Sequence, residues 1–175
     1  MLQSDPLSLL VRWWLGIIAY LGRRPERMIE EGRHMVALDP THFLGHLVAG
    51  LACTESGSPD EAVTAFEKAR ELSGGIPLTL GYLTYAYGRA GRRDDARELL
   101  DQMEMMATTA YVSPSTVAIG HVGLDDWDTA FQWWNQAVDV RDPLIVPIKT
   151  FPFFDPVRSD PRYRAILRRM NLSED

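Results

Sequence analysis

Five polar side chains have spacings that could support chemistry. His42 and His46 are four residues apart, so on a helix both imidazoles would face one side, as in many metal sites. The predicted helix that carries them holds no carboxylate and no third histidine, and we predict no metal site. Asp125, Asp126 and Asp128 resemble a paired-carboxylate site. They lie at a predicted turn and helix start, however, where capping and hydration account for such acids.

Two further residues, Cys53 and His121, could serve as a nucleophile and a base. Both stand 34 residues from Tyr87, one on either side, at a position that faces a neighbouring helix, so we predict core roles for them. The sequence contains no GxSxG, GxxxxGK[ST], HExxH or GxGxxG motif. It therefore predicts a protein that is not an enzyme and needs no cofactor.

The amino-acid composition limits the classes of partner that the protein can bind and the cellular compartment in which we expect it. The 175 residues include 24 acids against 18 basic residues, a net charge of −6, which disfavours nucleic-acid binding. The apolar run from Leu7 to Gly22 is shorter than the roughly 20 residues of a membrane span and contains Arg12, so we predict neither a signal peptide nor a span. The single cysteine excludes an internal disulfide and favours a reducing, cytoplasmic location.

The predicted helices, which would have to position the side chains of any site, recur every 34 residues. One helix of each unit carries a small or apolar residue at that spacing, at Met28, Ala62, Ala96 and Ala130. Two residues before each stands an acid, where a carboxylate favours the positive end of a helix: Glu26, Asp60, Asp94 and Asp128. These spacings predict the second helix of four successive helix pairs.

A first helix precedes each of these, and turns rich in glycine or proline separate the two helices of a pair. The predicted first helices run over 8–20, 42–54, 78–89 and 113–122. The spacing places the four units at residues 7–40, 41–74, 75–110 and 111–142. A tail at 143–175 follows, with a capping helix from about Pro161 to Met170 that Asp160 caps.

A 34-residue helix-turn-helix unit with small residues at these positions resembles the tetratricopeptide repeat. The second unit carries Gly50, Ala62 and Phe66 of the pattern, whereas the first departs from it at Gly32 and the fourth at His121. The resemblance implies an all-α protein, a right-handed solenoid of stacked antiparallel helix pairs with four repeats and a C-terminal capping segment.

The last third is similar to the closing segment of bacterial regulatory proteins, in which such repeats often follow a winged-helix, nucleotide cyclase, protein kinase or TolB-like domain. The matching stretches are 111–114, 141–143 and 154–163, whereas 150–154 departs from the pattern. None of those effector domains occurs in this chain. Pro6 lies 34 residues before Pro40. This spacing leads to the hypothesis that residues 1–6 are the remnant of a preceding repeat or a linker, and that the chain is a fragment or a natural truncation of a longer repeat or effector protein.

The resemblance also implies a concave surface lined by the first helix of each pair. The residues predicted to form this groove are Trp13, Ile17, Tyr20, Leu47, Leu51, Tyr82, Tyr85 and Arg89. The lysine, asparagine and arginine clamp by which related repeats bind acidic chaperone tails is absent, since its positions hold residues such as Trp13 and Tyr82. An apolar peptide or amphipathic helix would suit this groove.

Two functions follow as expectations. The first is a non-catalytic scaffold for protein–protein interaction that binds an apolar peptide or helix in the groove. The alternative is the regulatory or sensory arm of a larger bacterial signalling enzyme or transcription regulator. In that case the apolar surface would be covered by preceding repeats, by the phenylalanine-rich tail or by a second copy of the chain. A second copy would bind through an exposed first helix.

Overall fold

The computed structural model describes residues 6–173, and within that range the chain is all-α and contains no strand. The helices, in chain order, are α1 (Pro6–Leu21), α2 (Pro25–Leu38), α3 (Phe43–Glu55), α4 (Pro59–Ser73), α5 (Pro77–Arg89), α6 (Arg93–Ala107), α7 (Pro114–Gly123), α8 (Trp127–Asp139) and α9 (Pro161–Arg169). Each helix packs on its neighbours in sequence, which is the architecture of a helical repeat. Two short 3-10 turns, Pro143–Ile145 and Pro152–Val157, lie in the tail (residues 143–173) before α9.

Local sequence explains where the helices begin. Proline occupies the first position of most of them, where its missing N–H costs no hydrogen bond. The side chains of Ser113, Asp126 and Asp160 accept hydrogen bonds from the first turns of α7, α8 and α9. The four acids predicted at helix starts all lie in the first turns of α2, α4, α6 and α8. The hypothesis about residues 1–6 concerns residues outside the described range, apart from Pro6, which begins α1.

Glycines bring α5 and α7 into backbone contact. A Cβ added at Gly88 would lie 2.2 Å from the carbonyl oxygen of Gly123, and one at Gly123 would lie 2.5 Å from the Cα of Tyr85. A Cβ at Gly81 would lie 2.4 Å from the side chain of Thr116. Only glycine allows two helices to approach this closely, so these positions set the spacing of α5 and α7.

A buried carboxylate fixes the point where the tail leaves the last helix pair. The Asp142 side chain is 1% exposed and accepts hydrogen bonds from the Ser113 hydroxyl at 2.5 Å and from the backbone N–H groups of Ser115 and Leu144, both at 3.0 Å. Three donors satisfy a carboxylate that would otherwise lose its hydration at considerable cost. Asp142 therefore joins the start of the tail to the start of α7.

A second buried carboxylate joins α1 to α2. Glu31 is 1% exposed and lies 2.9 Å from Nη1 of Arg12 and 2.8 Å from Nη2 of Arg27. Arg12 also lies 3.2 Å from Nδ1 of His34, so the guanidinium of Arg12 points toward α2. The arginine that interrupts the apolar run of α1 thus belongs to the contact between the first two helices.

In the described part of the chain, no helix combines the length and apolar character needed to cross a membrane.

Candidate functional site

The structure buries much of the predicted groove. Half of its residues, Tyr20, Leu47, Leu51 and Tyr82, lie in the core with at most 6% of their surface exposed. Three more, Trp13, Ile17 and Tyr85, are half-buried and pack against that core, and Arg89 alone is exposed. Tyr85 and Arg89 line an opening of about 270 Å³, which is below the size of most ligand pockets. In this conformation the groove is not an open channel for a peptide.

The phenylalanines of the tail are what cover it. The ring of Phe153 lies 6.0 Å from Tyr20 of α1, and 5.8 Å and 4.9 Å from Tyr82 and Tyr85 of α5, centroid to centroid. Phe151 lies 5.7 Å from Tyr20. Such tilted and edge-on pairs are the favoured geometries of aromatic rings. The possibility that the tail packs into the apolar surface is therefore the arrangement that the structure adopts.

Burial also removes the tyrosine hydroxyls from acid–base chemistry. Loss of hydration in the core raises the pKa of Tyr82, and it raises the pKa of Tyr20 well above its ordinary value, with smaller contributions from Tyr82 and Glu55. Within the described residues, the Tyr20 hydroxyl has no hydrogen-bond partner. Both side chains contribute ring surface to the cluster, and neither is poised to donate or accept a proton.

An ion pair at the edge of the groove holds the tail to the first helix pair. Nη1 and Nη2 of Arg23, in the turn after α1, each lie 2.6 Å from a different oxygen of Asp155. Arg158 donates to the same carboxylate at 2.9 Å. Partial burial raises the pKa of Asp155, but the hydrogen bonds from Arg23 and Arg158 outweigh that effect, so the net shift is downward. This bidentate pair joins residues 132 positions apart in the chain.

We expect Asp155→Asn to destabilise the fold at neutral pH and to lose its effect in acid. A carboxyl with a lowered folded pKa contributes stability above its unfolded pKa of about 3.9, and that contribution is lost as the pH falls through the folded pKa. Because Asp155 is 42% exposed, solvent screening limits the loss to about 0.5 kcal/mol at pH 7. Urea denaturation at pH 7 and pH 3 measures it, with Asp101→Asn on exposed α6 surface as the control. An equal loss at both pH values would contradict the role of the charge.

The histidines and acids with suggestive spacings have local structural partners. Nδ1 of His42 accepts a hydrogen bond from the N–H of Leu44 at 3.3 Å and caps α3, and Nε2 of His46 lies 3.1 Å from the carbonyl of Pro40. The two imidazoles thus do not converge on a common point through these contacts. Asp126 accepts a hydrogen bond from the backbone N–H of Thr129 at 3.3 Å as the cap of α8, as the sequence predicted for acids at this turn.

His121 and Cys53 also occupy structural positions. His121 is 7% exposed, with Nδ1 3.1 Å from Asp126 and Nε2 3.6 Å from Glu104. Burial raises the pKa of the Cys53 thiol, and the nearby Glu61 carboxylate raises it further, so the reactive thiolate is disfavoured. Across residues 6–173, no group of three histidine, cysteine or acidic side chains is placed to hold a metal ion.

The apolar surface that remains exposed lies on the first helix. Five residues of α1 form one face, which we call the α1 face: Leu10 (49% exposed), Val11 (58%), Trp14 (56%), Leu15 (37%) and Ile18 (62%). Together they expose roughly 500 Å² of apolar surface, comparable to the largest patch on a typical monomer, which is often functional. The sequence pattern that indicates the α1 face is a helix that is apolar on every side, with Arg12 as its single charged residue.

The repeat shows what covers the equivalent face of the next pair. Adding 34 to the numbers of the α1 face gives residues 44, 45, 48, 49 and 52 of α3. Val48 is fully buried, and its side chain lies against Gly16 of α1 and Gly32 of α2. A Cβ at Gly45 would lie 3.0 Å from the side chain of Val36, also in α2. In α3, therefore, a helix pair covers the face that α1 leaves open.

Comparison with known proteins adds no relative to this description: no family model matches the chain, and no curated protein matches its sequence.

Proposed function

We propose that this chain is a non-catalytic helical-repeat scaffold that binds a protein through the α1 face. The observation that carries the proposal is the exposure of five contiguous apolar side chains on one side of α1. A patch of this size equals the largest apolar patch of a typical monomer, and that patch is often the functional one. Trp14, at its centre, is the residue type that most often anchors protein interfaces.

The equivalent face of α3 supports this choice of surface. There the same positions of the repeat receive helix α2, through close contacts at Gly45 and Val48. The positions are thus suited to bind a helix, and the ridge formed by Leu10, Trp14 and Ile18 at four-residue spacing offers i, i+4 and i+8 contacts to one. A helical segment of a partner is the ligand that fits best.

Binding in the concave groove is the other form of the same function, and it requires the tail to leave. Phe151 and Phe153, the two rings that contact the tyrosines of the groove, are at most 8% exposed. Returning two such rings to water costs on the order of 4 kcal/mol, which a groove ligand would have to supply before any net affinity appears. We therefore place the docking surface on the α1 face, with Trp13 and Ile17 as half-buried supports behind it.

A second candidate is a repeat arm of a larger regulatory protein, which would use the same face to pack against another domain. The covered face of α3 favours this reading as well, because a preceding helix pair would cover α1 as α1 and α2 cover α3. Both candidates depend on the α1 face and assign no chemistry to the chain.

Affinity capture from a native lysate tests the proposal. We expect the wild-type chain to retain a partner protein that Ile18→Glu loses, because a carboxylate at a desolvated apolar contact is strongly unfavourable. Met105→Glu is the matched control, since Met105 is apolar and 72% exposed but lies on α6. Circular dichroism checks that all three chains are equally helical. Partners retained equally by the wild type and Ile18→Glu would contradict the assignment of the α1 face.

A further inference from the structure

We infer that a second copy of this chain occupies the α1 face, in a two-fold symmetric dimer that packs α1 against α1 of the partner in antiparallel orientation. The inference rests on the proposed function, because it names the occupant of the same surface. It follows from the area of the face, its geometry and the distribution of charge at the two ends of the molecule.

The apolar area of the α1 face is sufficient for an interface between two copies and too small for a more extensive interface. Each copy exposes roughly 500 Å² on the α1 face, so a symmetric pair buries about 1,000 Å² in total, the lower limit for a specific interface. The face consists of apolar side chains only, as expected of a homodimer interface more than of a transient one. Self-pairing covers the whole patch on both copies at once.

The geometry of α1 suits a symmetric contact. Leu10, Trp14 and Ile18 form one ridge along the helix at four-residue spacing, and Val11 and Leu15 form a second beside it. Ridges of this type pack into the grooves of an identical helix. With antiparallel helices and Trp14 near the two-fold axis, Leu10 of one copy faces Ile18 of the other, as an isologous interface requires.

Charge favours this pairing over a head-to-tail stack. Arg12, the single charged residue of α1, is directed to Glu31 at 2.9 Å, so no like charges meet across the axis. The opposite end of the molecule presents α9, which carries four exposed arginines, among them Arg162 and Arg169, whose guanidinium groups pair with carboxylates of α8. A head-to-tail contact would strip the remaining hydration from these guanidinium groups and offer them only the apolar α1 face in exchange. Two α1 faces meet without that cost.

Sedimentation velocity over about 1–100 µM protein is the test. We expect the wild-type chain to sediment with twice the mass of one chain, and we expect Ile18→Glu to dissociate at least 100-fold more readily. Met105→Glu serves again as the control and should remain dimeric. Because Ile18 is 62% exposed within one chain, its replacement should leave helicity and the urea midpoint of the monomer unchanged, which excludes misfolding as the cause.

A charge-pair rescue tests the antiparallel arrangement. Leu10→Lys and Ile18→Glu should each be monomeric alone, and an equimolar mixture should form a heterodimer because the introduced charges of opposite sign then face each other. A parallel pair would bring position 18 against position 18 and give no rescue. Restoration in the mixture supports the inference, and the absence of restoration overturns the antiparallel pairing.

The two proposals fail in different ways. A wild-type chain that is monomeric throughout the range, or a dimer that Ile18→Glu leaves intact, overturns the homodimer. If such a monomer still captures another protein in a manner that depends on Ile18, the proposed function stands and only the identity of the partner is wrong. If neither self-association nor capture depends on Ile18, both proposals are wrong.

Discussion

Phe153→Ala is expected to lower the free energy of unfolding by about 4 kcal/mol. The ring is 3% exposed and packs against Tyr20 of α1 and against Tyr82 and Tyr85 of α5. Truncation removes buried apolar surface and leaves a cavity among large, stiff aromatic side chains that cannot close around it. Since the ring also joins the first and third helix pairs through the tail, its loss removes contacts between parts distant in the chain.

Urea denaturation followed by circular dichroism measures this loss. The control is Val146→Ala, which truncates an apolar side chain in the same tail at a position that is 66% exposed, and it should change stability by no more than about 0.5 kcal/mol. A loss below about 1 kcal/mol for Phe153→Ala would show that the tail does not pack on Tyr20 and the two α5 tyrosines in solution.

Gly88→Ala should cost about 3 kcal/mol through the opposite mechanism, overpacking. The added methyl group would lie 2.2 Å from the carbonyl oxygen of Gly123 and 2.4 Å from its carbonyl carbon, distances at which no real Cβ is found. Both clashing atoms belong to the backbone, so no rotamer change relieves them, and α5 and α7 must separate. Because Tyr85 of α5 contacts both Gly123 and the ring of Phe153, the substitution should also loosen the packing of the tail.

Gly16→Ala provides the matched control. It adds the same methyl group to a buried helical glycine, but the nearest atom is a side-chain carbon of Val48, at 3.0 Å. The gain in helix propensity of up to about 1 kcal/mol offsets that contact, so the net change should be small. Equal losses for Gly88→Ala and Gly16→Ala in urea denaturation would contradict the backbone contact between α5 and α7.

The sequence alone predicts the all-α fold and the positions of the helices because both depend on local spacing. Small or apolar residues recur every 34 positions from Met28 to Ala130, each with an acid two places before it, and this pattern places the second helices. The described helices start within a few residues of the predicted ones. Asp160 caps α9 as predicted. The resemblance to tetratricopeptide repeats rests on the 34-residue period. That resemblance stays a proposal, because no family model matches the chain.

The predicted groove shows where local spacing stops being informative. Its eight residues do lie on the first helices of their pairs, yet Tyr20, Leu47, Leu51 and Tyr82 are buried. Their burial depends on how closely neighbouring helices approach and on what returns to cover them. Gly81 and Gly88, seven residues apart on one side of α5, are the sequence signal for a close approach, although a glycine pair by itself does not identify the helix that will fill the space.

Sequence by itself thus determines that this protein is a stack of helix pairs, since hydrophobic period and capping act within a few residues along the chain. Tertiary structure alone decides which apolar surface is available. Phe153 reaches Tyr20 from the far end of the chain, and the ion pair between Arg23 and Asp155 closes that contact, so the tail fills the groove. The α1 face is left open because no helix within the described residues lies where α2 lies on α3. Contacts between residues so distant in sequence leave no periodic trace, and because of them we propose binding at the first helix and not in the groove.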